Sequence, residues 1–199
     1  RGKRPMEPIY ALQDARECLT QANSVAYDQE FSPHATVRCR FRDAGHILGS
    51  AIIEVWVTEH GRATKLVFSG DLGQPGRPIL RDPTLIEETD ILVVESTYGD
   101  RRHLDLAATE DEMIAIVEKT LYERGGNVIM PAFAVGRTQQ VIYLLHRLAC
   151  EGRLRPPKVF VDSPMATEAT RITREHLELF DEEARRLAGW QAQGKDIPY

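Results

Sequence analysis

The sequence is poor in the features that staple small secreted proteins or anchor a chain in a bilayer. Of its 199 residues only three are cysteine, Cys18, Cys39 and Cys150, and no two form a CxxC pair. An odd, scattered set fits a reducing compartment rather than a disulfide scaffold, and each thiol is expected to be buried. No apolar run approaches the roughly 18 residues of a membrane-spanning helix, so no membrane partner is expected. A basic stretch leading into an apolar one is also missing, which argues against a secretory signal and for a cytoplasmic protein. Basic residues are not in excess: 25 Lys and Arg face 30 Asp and Glu, a net charge of −5. A wholly basic nucleic-acid binder is excluded, and any such surface must be a local patch. There is no GxGxxG or P-loop glycine string, which disfavours an ordinary nucleotide-binding domain, and no internal repeat or low-complexity segment. What remains is ordinary globular composition, 42% apolar and 28% charged, in a length suited to one large domain or two small ones.

Periodicity divides the chain. Residues 10–22 read as a short helix with Leu12, Ala15 and Leu19 on one face. In 37–42, Val-Arg-Cys-Arg-Phe-Arg, apolar and basic residues alternate, so one face of a strand packs while three arginines form a solvated face. Residues 52–57 and 65–68 are two further strands, joined by a hairpin around Glu59-His60-Gly61. Residues 91–94 are apolar throughout and are expected to be buried on both faces. Helix and strand alternate afterwards. A capping box at Thr109 to Glu112 opens a helix that Gly125-Gly126 stops. Residues 127–130 and 158–161 read as strands, 138–150 as a helix, and Ser163-Pro164 caps another. Such βα units imply parallel strands with right-handed crossovers, and the change of character suggests a division near residue 100.

Three polar residues stand just past strands: His46 in Asp43 to Ser50, Asp71 in Ser69 to Gly73, and Glu95 directly after 91–94. They could gather at one sheet edge, where an imidazole and a bridging carboxylate suit zinc and the neighbouring glycines let backbone approach closely. The bland readings are a buried hydrogen-bonded histidine, a turn aspartate and a glutamate paired with an arginine. Two loops at the ends of 127–130 and 158–161 lead into helix N-termini, which suits phosphate oxygens, with Arg137 and Ser163 as the contacts. There the bland readings are an arginine paired with a carboxylate and a serine that only caps its helix.

These strings carry a resemblance. Asp43 to Ser50, Phe68 to Gly73 and Glu95 to Arg101 are similar to the second half of a metallo-β-lactamase-fold core in the nucleic-acid-processing β-CASP family. Pro131 to Gln140 and Val161 to Ala166 resemble the opening of the β-CASP domain inserted in that core. The resemblance implies an α/β fold: a partial metallo-β-lactamase αββα core over 1–100, followed by a partial Rossmann-like β-CASP domain over 101–199. It implies His46 and Asp71 as zinc ligands, Asp71 bridging two ions, and Glu95 as the acidic residue that orients a histidine from a later segment. The implied activity is zinc-dependent phosphodiester hydrolysis of single-stranded RNA, with Arg137 and Ser163 holding the RNA backbone. The rival is a catalytically silent RNA-binding or scaffolding member of the same family.

The family's HxHxDH ligand cluster and its later histidines have no counterpart here; His34, His60, His103, His146 and His176 stand in other contexts. Gln140 also replaces the glutamate that often follows the GRxQ string. The chain opens on Arg1-Gly2-Lys3-Arg4-Pro5 and closes on Gly194 to Tyr199 without a clear stop. The expectation is an internal fragment of a two-zinc ribonuclease, itself inactive and binding zinc weakly or not at all. Its oligomeric state, a homo-oligomer included, is left open.

Overall fold

The computed structural model of the chain describes residues 8–101 and 105–192. The basic start at Arg1 to Pro5, His103 and the closing Gly194 to Tyr199 lie outside them. The architecture is mixed α/β, with the strands early in the chain and helices dominating later. Helix α1, Leu12–Thr20, forms as its spacing predicts, yet Leu12 and Leu19 stay exposed and the helix buries nothing.

Strands β1 (Glu30–His34), β2 (Val37–Asp43), β3 (Ala51–Glu59) and β4 (Arg62–Phe68) make an antiparallel meander. Strand β5 (Ile91–Val93) then adds parallel to β4, giving the sheet order β1-β2-β3-β4-β5. The β3–β4 hairpin turns on His60 and Gly61, both with the positive φ that a tight two-residue hairpin requires. Register places Arg40 opposite Glu54, and Trp56 between Arg38 and Lys65. The arginine face is therefore not simply solvated, as expected of it. Glu54 is 1% exposed and takes ion pairs of 2.7 Å from both Arg40 and Lys65. The Arg38 guanidinium lies 4.5 Å from the Trp56 ring centroid. A buried carboxylate requires such partners, and Arg40 of β2 and Lys65 of β4 supply them. Ala44, Ile52 and Val67 close a small core with Leu72 and Ile86.

Helix α2, Leu106–Glu118, starts a turn before the expected capping box. Asp105 is its N-cap, with Oδ1 accepting the Ala108 N–H at 3.0 Å, while Thr109 lies inside the helix with its hydroxyl on the Asp105 carbonyl. Aspartate caps as well as threonine, and the earlier of the two wins. A π-helical turn at Lys119–Glu123 follows before the two glycines end the run. Helix α3, Arg137–Cys150, and helix α4, Pro164–Glu175, form as expected. Helix α5 is Glu182–Ala192. Val117, Leu145, Leu148 and Leu154 form a second core between α2 and α3, flanked by Glu110, which pairs with Arg147 and Arg153. Ile79, Phe180 and Ala184 make a third, against Tyr143, and clasp the sheet segment to the helices. The Asp181 N–H seals that clasp on the Ile79 carbonyl at 2.8 Å. No helix among the described residues is long and apolar enough to cross a membrane.

Several expectations about burial and pairing are corrected. Residues 91–94 are about half exposed rather than buried on both faces, because among the described residues β5 is an edge strand with β4 as its one neighbour. Residues 127–130 and 158–161 are not strands and make no backbone hydrogen bonds among the described residues, so the parallel βα units do not form there. Their side chains alternate all the same: Val159 packs on the α2–α3 core, whereas Phe160 is 86% and Ile129 87% exposed. A strand is a property of a pair, and these segments have an inner face but no lateral partner. Of the thiols, all free, only Cys39 is buried; Cys18 rides on the unpacked α1 and Cys150 ends α3.

Candidate functional site at the strand ends

Strand β2 ends in a tightly tied turn. Asp43 Oδ1 accepts the Gly45 N–H at 2.9 Å, the side-chain mimic of a backbone turn to which aspartate is suited. Gly45 takes φ 61°, and a Cβ there would lie 2.6 Å from the Arg81 carbonyl oxygen, so glycine is required both by conformation and by space. The His46 and Ile47 N–H groups both donate to Ser50 Oγ, at 3.1 and 3.2 Å. With the backbone so occupied, the His46 side chain is exposed, and no hydrogen bond or ion pair engages its imidazole among the described residues.

The turn after β4 is sewn to this one. The Gly73 N–H donates to the Ala44 carbonyl at 2.8 Å. A Cβ on Gly73 would fall 1.9 Å from the Gly45 oxygen, so the two turns touch backbone to backbone. Asp71, a residue of this turn, is exposed and likewise uncommitted among the described residues. Glu95 closes the set from the end of β5. Its N–H donates to the Ser69 hydroxyl at 3.0 Å, and its Oε1 accepts the Leu72 N–H at 2.5 Å. The turns bearing His46, Asp71 and Glu95 are therefore one hydrogen-bonded assembly. Among the described residues His46 is not sealed in the core and Glu95 meets no arginine, whereas Asp71 does lie in a turn.

The start of α3 meets the same assembly. A Cβ on Gly136 would lie 2.9 Å from Ile47 Cγ2, which places the turn before Arg137 against the His46 turn. Arg137 is exposed and forms no ion pair among the described residues. Ser163 is committed as an acceptor, its Oγ receiving the Ala166 N–H at 3.2 Å, and its hydroxyl proton remains to donate. The residue that sequence reasoning passed over is Gln139, 6% exposed, which links the two helix starts. Its signal was present: a Gln three residues after the helix N-cap commonly reaches back to the cap N–H. Among the described residues no three or more His, Cys, Asp or Glu side chains come together as a metal cage.

The exposed His46 imidazole and Asp71 carboxylate, unpaired among the described residues, stand on adjoining strand-end turns of an α/β fold, the kind of loop on which functional groups concentrate. The comparisons are more specific. Residues 138–198 match the Beta-Casp domain family. A ribonuclease of Thermus thermophilus is 35% identical over 179 residues, covering 90% of this chain and 40% of that protein. An RNase J-like protein of Methanocaldococcus jannaschii is 31% identical, covering 78% of this chain and 37% of its own length. The transcription termination factor FttA of Pyrococcus abyssi is also 31% identical, over 83% of this chain and 25% of that protein. The chain is a member of the β-CASP family, spanning between a quarter and two fifths of the length of these relatives.

Proposed function

We propose that the complete protein is a zinc-dependent hydrolase of single-stranded RNA. In this reading residues up to about 100 belong to a metallo-β-lactamase αββα core and those from 101 onward to a Rossmann-like β-CASP domain. The observation that carries it is the bonding of the His46, Asp71 and Glu95 turns into one assembly that leaves the imidazole and the Asp71 carboxylate unengaged among the described residues. Such side chains suit a metal in kind but not in number, since zinc sites take three or four protein ligands. His46 and Asp71 would hold two zinc ions together with ligands from beyond the described residues. Zinc bound there would lower the pKa of a water and offset charge developing on the phosphate.

The chain's own residues supply positioning. Asp71, placed by the Gly70 and Gly73 backbones, offers two oxygens that can face two cations. Glu95, with Oε1 held by the Leu72 N–H, keeps Oε2 to orient a histidine ligand. Arg137 and the Ser163 hydroxyl, each at a helix start, would hold RNA phosphates near this edge. The names of the ribonuclease and RNase J-like relatives support RNA as the substrate. A catalytically silent, RNA-binding member would be expected to have lost ligands, and the retention of His46 and Asp71 in the sequence favours the hydrolase.

The test is Asp71→Ala in the full-length protein. Cleavage of a single-stranded oligoribonucleotide should fall to background while affinity for it stays within a few-fold, because the lost group holds metal rather than the RNA backbone. Unimpaired cleavage by the variant removes Asp71 from the site.

A further inference from the structure

We propose that Gln139 is a positioning residue for RNA binding: one buried side-chain amide that locks the starts of α3 and α4 together so that Arg137 and the Ser163 turn act on the same strand. The inference rests on the reading of Arg137 as a backbone contact. The amide orientation follows from its partners. The Gly136 N–H, 2.7 Å away, can only donate, so it faces Oε1. The Ala134 and Ala166 carbonyls, 3.1 and 3.4 Å away, can only accept, so they face Nε2. Nε2 also reaches Thr170 Oγ1 at 2.9 Å, and that hydroxyl donates to the Ala166 carbonyl at 2.7 Å.

Each of these contacts fixes something that packing leaves loose. Residues 131–135 lack regular secondary structure, and Phe133 and Val135 are exposed, so apolar burial does not define the approach to α3. Gly136 takes φ 81°, a conformation any flexible loop would leave readily. The contacts to Gly136 and Ala134 hold that turn, and those to Ala166 and Thr170 tie it to the first two turns of α4, directly after Ser163. Arg137, beside the held turn, makes no ion pair among the described residues, so the direction of its guanidinium depends on the backbone that carries it. Glutamate is nearly the same size but cannot donate to two carbonyls, and it would set a negative charge against them.

The experiment measures binding of a single-stranded oligouridylate to the full-length protein across a salt series, for wild type, Arg137→Ala, Gln139→Glu, Thr170→Val and the Arg137→Ala/Gln139→Glu pair. Arg137→Ala should weaken binding roughly three- to tenfold and flatten the salt slope by somewhat under one unit, the share of one phosphate contact. Gln139→Glu should reproduce both changes, and the pair should bind no more weakly than Arg137→Ala alone, since Gln139 acts through the arginine. Should Gln139→Glu fail to fold, Thr170→Val removes one of the amide's partners from the α4 side and should give a smaller loss in the same direction. If Arg137→Ala weakens binding while folded Gln139→Glu, or Thr170→Val in its place, keeps wild-type affinity and slope, the positioning role is refuted and the RNA reading stands. Additive losses in the pair refute it equally. If Arg137→Ala itself changes nothing, the phosphate-contact reading has failed and the role of Gln139 falls with it.

Discussion

Glu54 shows how a single side chain can hold three strands together. Burial alone would raise its pKa, but hydrogen bonds from Arg40 and Lys65 outweigh that and bring it below the ordinary glutamate value near 4.5. A depressed folded pKa means that the stability it contributes is fully present above the unfolded value and is lost as pH falls through the folded one. Glu54→Gln should therefore cost roughly 2–3 kcal/mol at neutral pH, somewhat less than a fully enclosed pair because both cations keep some solvent contact. It should also flatten the acid limb of the stability curve below about pH 5. Urea unfolding of wild type and variant at several pH values reads both. An acid limb unchanged in the variant would assign the pH dependence to other groups. At the site itself, His46, Asp71 and Glu95 were legible because each follows a strand and is flanked by residues of turn type. Gln139 was legible only in part: its reach back to the Gly136 N–H is a local capping signal, whereas its tie to Thr170, thirty-one positions away, leaves no local trace.

At the level of elements, what could be read locally was read well. The β3–β4 hairpin, α3 and the Ser163-Pro164 start of α4 each carry their own signal, in alternation, helical spacing or a cap. The start of α2 was misplaced by a turn because two capping residues, Asp105 and Thr109, stand four apart and the pattern alone does not rank them. Asp105→Ala should accordingly cost about 1 kcal/mol, with the loss localised to α2 in hydrogen exchange. Thr109→Ala should cost less, since its hydroxyl only bonds back to the Asp105 carbonyl. Burial and pairing of 91–94, 127–130 and 158–161 were not legible for a different reason. Apolar composition states what a segment needs, whereas a neighbouring strand decides whether it gets it.

On the scale of the whole molecule, the described residues form three small cores in place of one large one, and sheet and helices meet at the Ile79–Phe180 clasp and where Gly136 approaches Ile47. At the candidate site the described residues bring together His46 and Asp71 but no cluster of three or more metal-ligating side chains. We expect this chain, purified and dialysed, to retain no stoichiometric zinc by atomic absorption and to leave single-stranded RNA intact, because two protein ligands hold zinc weakly. Retention of one or more equivalents would mean that the described residues rearrange into a cage. The outer edge of β5 has a further consequence, for handling rather than for chemistry. Its half-exposed Ile91, Leu92 and Val93 border a row of backbone groups with no strand beside them among the described residues, and edges of that kind are templates for pairing between copies. In concentrated solution the chain should scatter light increasingly with time and bind an amyloid-type dye. A lysine in place of Leu92 should suppress both, turning a sticky border into one that repels its own image.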